Sequence, residues 1–464
     1  MTPGSLRANL ARIVPLAWPV LVGQLAVLAF ATIDTVLVAR HDATDLAAFA
    51  VGAATYITVF VGLMGVALAV GPIVGQLFGA KQFEAAGEQL HQALWLVIGM
   101  SAIGSTLLAF PYPFLALAKA TPEVADKVRG YLLALALALP ASLLFTVFRG
   151  FNTAVSRPKV VMALQLGGLA LKAPLSSLLV YGLGPIPSFG VTGCGIATCI
   201  ALWLQVVIAW RVLVRDPFYA PFALARKLGG HRLRPAQWAS IKAQLKLGVP
   251  MGLTILIEVT GITFMAFFIS RISANAVAGH QIAANMISLL FMVPLSLGNA
   301  TATLVAQRIG AGDARDARRL GWHGMQIASA AALLLGGSVF FAREAIVRTY
   351  TDNEVIIAAA LPLLAWVAAF HWFDAMQTMA AFVLRAYRIA TVPLAIYAAS
   401  IWGVGLGGGY LLAFNVGGDV PLALHGARGF WIASTAGLGV AALGLGVFLL
   451  SVLRQQRSGL TPAA

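Results

Sequence analysis

Residues 249–268 read VPMGLTILIEVTGITFMAFF, an apolar run long enough to cross a bilayer, with one carboxylate, Glu258, near its middle. A spanning helix needs about 20 predominantly apolar residues. An ionised acid at its centre costs about 2.5 kcal/mol or more, so such residues generally face a cavity, change protonation or bind a cation. The feature recurs at Asp34 in FATIDTVLVA (residues 30–39) and at Asp374 in AAFHWFDAMQTMAAFVL (residues 368–384). Three intramembrane acids need a shared explanation, and proton or ion handling is the starting hypothesis.

The surrounding chain has the composition of an integral membrane protein. Of its 464 residues 60% are hydrophobic and only 10% charged, with mean hydropathy +0.89, far from a soluble domain. Apolar spans are expected at 13–39, 49–73, 91–114, 130–149, 160–183, 190–214, 246–270, 277–301, 322–342, 356–384, 391–414 and 428–453. They leave no room for a separate soluble domain. Arg7 and Arg12 precede a first run too long for a cleaved signal peptide, so it reads as a retained helix. Cys194 and Cys199 share one apolar run and suggest neither a disulfide framework nor a metal site.

The net charge of +15 follows the loops and does not ask for a nucleic-acid partner. Most Lys and Arg fall on the N-terminus, every second loop and the C-terminus, which by the positive-inside rule makes both termini cytoplasmic. The largest share lies between 211 and 246: Arg211, Arg215, Arg226, Lys227, Arg232, Arg234, Lys242 and Lys246. This longest break between spans reads as a basic cytoplasmic linker, 215–245, joining an N-terminal six-helix lobe, 1–214, to a C-terminal one, 246–464. Its charge sets topology and meets anionic lipid headgroups.

The lobes look duplicated. VGQLFGAKQFEAAGEQL from Val74 aligns with VAQRIGAGDARDARRLG from Val305, and at the same offset of 231 residues Pro19 meets Pro250 and Ala47 meets Ala278. Six-helix halves repeated in parallel around a substrate site are a recurrent transporter plan. At that offset Asp34 meets Met265 and Glu258 meets Val27, so the acids are not copies of one site.

Glu258 lies about 18 Å along its helix from Lys246, and Asp374 about 16 Å from Arg385, similar depths in a core of roughly 30 Å. They are placed to form a pair. Two carboxylates in one dry site cannot comfortably both ionise, which suits uptake and release of a proton or small cation; the plainer alternative is that each hydrogen-bonds a neighbouring helix. Asp34 is close enough to Arg40 to be a boundary residue. Lys172, in LGGLALKAPLSSLLVYG, is the one base well inside a span, and paired with Asp34 it would keep its charge. Adaptable methionines and aromatic faces near the acids would suit flat lipophilic cations; Phe264, Met265, Met286, Phe370 and Trp372 are the candidate substrate contacts, although most such residues serve ordinary packing.

With these elements in order, the chain resembles the multidrug and toxic compound extrusion (MATE) family, in its NorM-like branch. The resemblance rests on Pro19 followed by IDTVLVAR, the VGQLFGAKQ loop, GVPMGLTILIEVTG, AGHQIAANM and WFDAMQTMAAFVLRAYR, and covers nearly the whole chain. It implies an all-α integral membrane protein of twelve transmembrane helices in two pseudo-symmetric six-helix bundles set in a V, in the bacterial inner membrane. Such a protein exports small organic cations, drugs or metabolites, by alternating access against inward H⁺ or Na⁺ flow. Asp34 would then be the first-lobe coupling acid, and Glu258 with Asp374 the second-lobe cation site. No cofactor beyond the coupling ion is implied, and a monomer is the default. The sequence departs from the pattern twice. Phe370 stands four residues before the tenth-helix acid, where sodium-coupled relatives have a tyrosine, and Lys172 and Ser176 stand where related proteins often carry amides. Both departures favour protons over sodium.

Rival functions fit the sequence less well, among them a structural or receptor role for which the basic loop could dock a partner. A flippase for a lipid-linked precursor, from the same superfamily, would be expected to need a strongly basic cavity, whereas here three acids face one intramembrane lysine. An intramembrane enzyme could use His371 and Asp374, which share a helical face at i, i+3, but the chain has no HExxH or GxSxG motif and only a loop GGD at Gly417 to Asp419.

Overall fold

The computed structural model of the chain describes residues 5–118, 121–182, 184–224 and 234–457. Among them are twelve helices long and apolar enough to cross a membrane: α1 Leu6–His41, α2 Ala43–Gly79, α3 Phe83–Ala109, α4 Pro122–Ala154, α5 Pro158–Tyr181, α6 Val191–Arg215, α7 Trp238–Ser270, α8 Ala274–Gly310, α9 Ala314–Tyr350, α10 Glu354–Ala386, α11 Thr391–Ala413 and α12 Ala427–Gln455. Each apolar span expected from the sequence overlaps one of them, although the third, 91–114, runs past Ala109 into a separate short helix, Tyr112–Ala118, and the spans 160–183, 190–214 and 391–414 overrun their helices by one or two residues. Several helices run past the apolar stretch because polar side chains cap them outside it. Asp42, Ser273, Asp313 and Asn353 each accept a hydrogen bond from a backbone amide of the first turn, satisfying donors that would otherwise be orphaned. Of the basic linker, Arg226, Lys227 and Arg232 lie outside the described residues.

The duplication reappears in the turns. After α2 the chain reverses at Lys81 (φ 58°), and after α8 at Gly312 (φ 76°). In both turns the next amide reaches back five residues, Gln82 N to Leu77 O at 2.9 Å and Asp313 N to Arg308 O at 2.9 Å. The same cap closes α4 at Ser156 (φ 61°) and α10 at Arg388 (φ 59°), with Arg157 N to Asn152 O at 2.8 Å and Ile389 N to Leu384 O at 3.0 Å. A left-handed residue after the helix frees the last carbonyls to be bonded this way.

Packing groups the chain into two compact units, Trp18–Gly252, and Met1–Ala17 with Leu253–Ala464. In the first, α4 is central and packs against α2, α3 and α6, with α5 on α6. Its buried leucines Leu132, Leu135, Leu139 and Leu143 form the axis of the core. The start of α7 belongs to this unit. Gly65 and Gly252 let two backbones meet where a Cβ on Gly65 would stand 2.1 Å from the Gly252 Cα, and Gln244 bonds Gln89 on α3 at 3.0 Å. The Arg234 guanidinium also pairs with Glu88.

The second unit repeats the plan with α10 at the centre, packed on α8, α9 and α12, and α11 on α12. The first turns of α1 belong here. Arg12 pairs with Asp316 at 3.0 Å, Arg308 reaches the same carboxylate at 3.0 Å, and Asn9 bonds His323 at 2.8 Å. Within α11, residues 398–407 wind as a π-helix, and Gly437 of α12 admits the Ser400 carbonyl, which a Cβ there would meet at 2.6 Å.

Candidate functional site

In the first unit, α1 presents Asp34 to α5. Lys172 and Ser176, one turn apart on α5, face it together: Lys172 Nζ is 2.6 Å from Asp34 Oδ2 and the Ser176 hydroxyl donates to Oδ1 at 3.2 Å. The Cys194 thiol of α6 is a further hydrogen-bond partner. Asp34 is 4% exposed and Lys172 3%, so the boundary position weighed for Asp34 does not describe it. One turn below, Phe30 turns its ring to the ammonium, 4.8 Å from centroid to Nζ, a contact that strengthens when desolvated. Further down α5, Gln165 lies directly over Gly23 of α1, its Oε1 2.1 Å from where a Cβ would be. The clasp between α1 and α5 thus needs both the charge pair and a helix surface stripped of side chains.

In the second unit, α7 contributes Glu258 and α10 contributes Asp374, and the structure joins them through a third residue. The Gln377 amide nitrogen is 2.9 Å from Asp374 Oδ1 and 3.2 Å from Glu258 Oε1, with Thr378 Oγ1 at 3.2 Å. Asp374, Gln377 and Thr378 share a face of α10 because they are three and four residues apart. Tyr397, the last residue of α11 before its π-helical stretch, brings its hydroxyl to Glu258, and the charge of Arg385 also acts there. Arg385 is 9% exposed, a buried countercharge with its guanidinium 4.7 Å over the Phe382 ring; in the sequence it marks only the helix end. Among the described residues Gln377 Oε1 and both ring nitrogens of His371 have no hydrogen-bond partner, and no group of three or more His, Cys, Asp or Glu is arranged to hold a metal ion.

The residues nominated for substrate contact fall into two sets. Met265 and Phe370 are buried in the apolar core of the second unit, Phe370 5.6 Å from the Trp431 ring. Trp372 is tied to α9 through its Nε1, which donates to Ser329 Oγ at 2.9 Å. These three are held by packing within the unit. Phe264 is 45% exposed, and Met286 packs half-buried at the edge of the core. Gln377 and Tyr397 were missed because neither carries a charge; the spacing of Gln377 three residues beyond Asp374 was the available signal.

Comparison with known proteins shows the family and the fold. The MatE family profile matches twice, over residues 19–178 and 250–411, so the second match begins at Pro250, the repeat partner of Pro19. A probable NorM multidrug resistance protein of Aromatoleum aromaticum is 37% identical over 442 residues, 95% of this chain and 94% of that protein. The multidrug resistance protein NorM of Vibrio cholerae is 31% identical over 96% of this chain and 95% of its own length. Among solved structures, a eukaryotic MATE transporter superposes with a TM-score of 0.85 at 20% identity, covering 98% of this chain and 100% of the other. Matched along nearly its whole length and once in each half, the chain belongs to the MATE family of multidrug efflux transporters, membrane transporters and not enzymes.

Proposed function

We propose that the chain exports small organic cations by alternating access in antiport with protons, working as a monomer in the bacterial inner membrane with both termini cytoplasmic. The observation that carries the choice of ion is the Asp34–Lys172 pair. A sodium ion entering that site would have to displace an ammonium already 2.6 Å from the carboxylate and tethered to α5. A proton bonds to the carboxylate itself and releases the ammonium. Breaking a buried pair by neutralising one partner costs about 3–5 kcal/mol, so protonation of Asp34 biases the α1–α5 clasp strongly. A coupling ion must bind the two conformations unequally to drive anything, and this clasp supplies the inequality. Phe370, which offers no oxygen beside Asp374, supports the same ion.

A second reading, sodium in the second unit, is favoured by one feature. The unpartnered Gln377 Oε1 lies among the Glu258 and Asp374 carboxylates, the Thr378 hydroxyl and the Tyr397 hydroxyl, an oxygen set suited to a hard monovalent cation. Phe264 and Met286 are the nominated residues left free to meet a flat cation.

At a membrane potential of 100 mV each inward charge supplies about 2.3 kcal/mol, roughly a fortyfold gradient of a neutral solute. A cation exchanged for one proton moves no net charge and draws on the pH gradient instead. The reading is tested by efflux of a fluorescent cation from cells expressing the protein. Asp34→Asn and Glu258→Gln are expected to abolish efflux while the protein stays in the membrane; efflux at the unmodified rate in both variants would remove the carboxylates from the mechanism.

A further inference from the structure

A second polar cavity in the second unit lies away from the acids. It has a volume of about 300 Å³ and lies between the first turns of α9 and the last turns of α12. Both helices pack on α10, and the cavity is the gap left where they flank its end. From α9 come Arg318, Arg319, Trp322 and His323; from α12 come Leu450, Leu453 and Arg454.

The charged side chains on its wall are all arginines. The guanidiniums of Arg318, Arg319 and Arg454 carry five N–H donors each. His323 is tied to α1: the Asn9 Oδ1 accepts from Arg12 at 3.1 Å and the Asn9 amide nitrogen lies 2.8 Å from His323 Nδ1, which leaves Nε2 as the other ring nitrogen. The acid nearest in sequence, Asp316, is already shared by Arg12 and Arg308.

The remaining wall is apolar and open. Trp322 is 48% exposed and Leu450 41%, beside the buried Leu453. A tryptophan and leucines at the end of spanning helices belong at the level where headgroups meet acyl chains. A small inorganic anion would use the arginines and leave this apolar wall wet; a ligand with both a phosphodiester and a hydrocarbon chain uses all of it.

We propose that this cavity is a binding site for the phosphodiester headgroup of an anionic glycerophospholipid, with Arg318, Arg319 and Arg454 on the phosphate oxygens and an acyl chain along Trp322 and Leu450. The lipid bridges α9 to α12. Guanidinium forks match phosphate oxygens in pairs.

The test is native mass spectrometry of the full chain released from detergent micelles, titrated separately with phosphatidylglycerol, phosphatidylcholine and inorganic phosphate. The unmodified protein is expected to retain one phosphatidylglycerol in preference to phosphatidylcholine. Arg319→Gln and Arg454→Gln should each weaken that retention about fivefold, and the double variant about twenty-fivefold. Arg343→Gln, which removes the same charge outside the cavity, should leave it unchanged, and so serves as the control for general charge effects. Equal retention of the two lipids, retention unaffected in both single variants, or displacement of the lipid by millimolar inorganic phosphate would each overturn the proposal.

Discussion

Lys172→Met removes the ammonium and keeps a side chain of similar length, leaving the Asp34 carboxylate buried with the Ser176 hydroxyl and the Cys194 thiol. Removing one partner of a buried ion pair costs about 3–5 kcal/mol. The unit that holds the pair, Trp18–Gly252, has about 235 residues, and at about 2.1 cal/mol/K per residue its unfolding entropy is roughly 0.5 kcal/mol/K. The melting temperature in detergent should therefore fall by about 6–10 °C. Asp34→Leu strands the lysine and should fall comparably. The double variant Asp34→Leu with Lys172→Met strands nothing, and apolar replacement of a buried pair is commonly neutral or stabilising, so its melting temperature should return to that of the unmodified protein while efflux stays lost. The swapped pair, Asp34→Lys with Lys172→Asp, should recover part of the efflux. A Lys172→Met protein melting within about 1 °C of the original, or a double variant as unstable as the singles, would refute the reasoning, since the pair would then carry no coupling energy.

Three further outcomes follow. Gln377→Leu deletes the amide between Asp374 and Glu258; hydrogen bonds to charged groups contribute about 1.5–3 kcal/mol, so efflux turnover should fall by about tenfold or more with protein levels unchanged in the membrane. Gly65→Val drives a side chain into the Gly252 backbone, 2.1 Å away at the first added carbon, and should abolish the monodisperse peak in fluorescence-detected size exclusion. Asp216, outside the spans, is held below its ordinary 3.8 by the Phe218 amide and then by Arg157, which pairs with it at 2.5 Å. A depressed carboxylate contributes its stability in full above pH 3.8 and loses it as pH falls through the lower folded value. The melting-temperature difference between the unmodified protein and Asp216→Asn should thus be constant from pH 7 to pH 5 and shrink below pH 3.8.

The twelve helices were legible because a bilayer demands long apolar runs, and nothing else in this sequence competes with them. Their true ends were less so. The sequence places the ninth span at 322–342, whereas α9 runs Ala314–Tyr350, since its first turns are polar and begin from the Asp313 cap. The grouping into units also escaped composition: the start of α1 is drawn to Asp316 and His323 by Arg12 and Asn9, contacts across more than 300 residues that no local pattern announces. At the site, the three acids and Lys172 stood out because charge in an apolar run is conspicuous. Gln377 and Tyr397 did not, because an amide and a phenol raise no such flag. Arg385 marks only the end of an apolar run in the sequence, and its burial near Glu258 comes from the fold.

Whether protons bound at the intramembrane carboxylates drive export is tested most directly by ethidium efflux by the purified protein in proteoliposomes, with a pH gradient and a sodium gradient imposed separately. Efflux driven by the pH gradient alone, and lost in Asp34→Asn and Glu258→Gln, is the predicted result; efflux that requires the sodium gradient would contradict it.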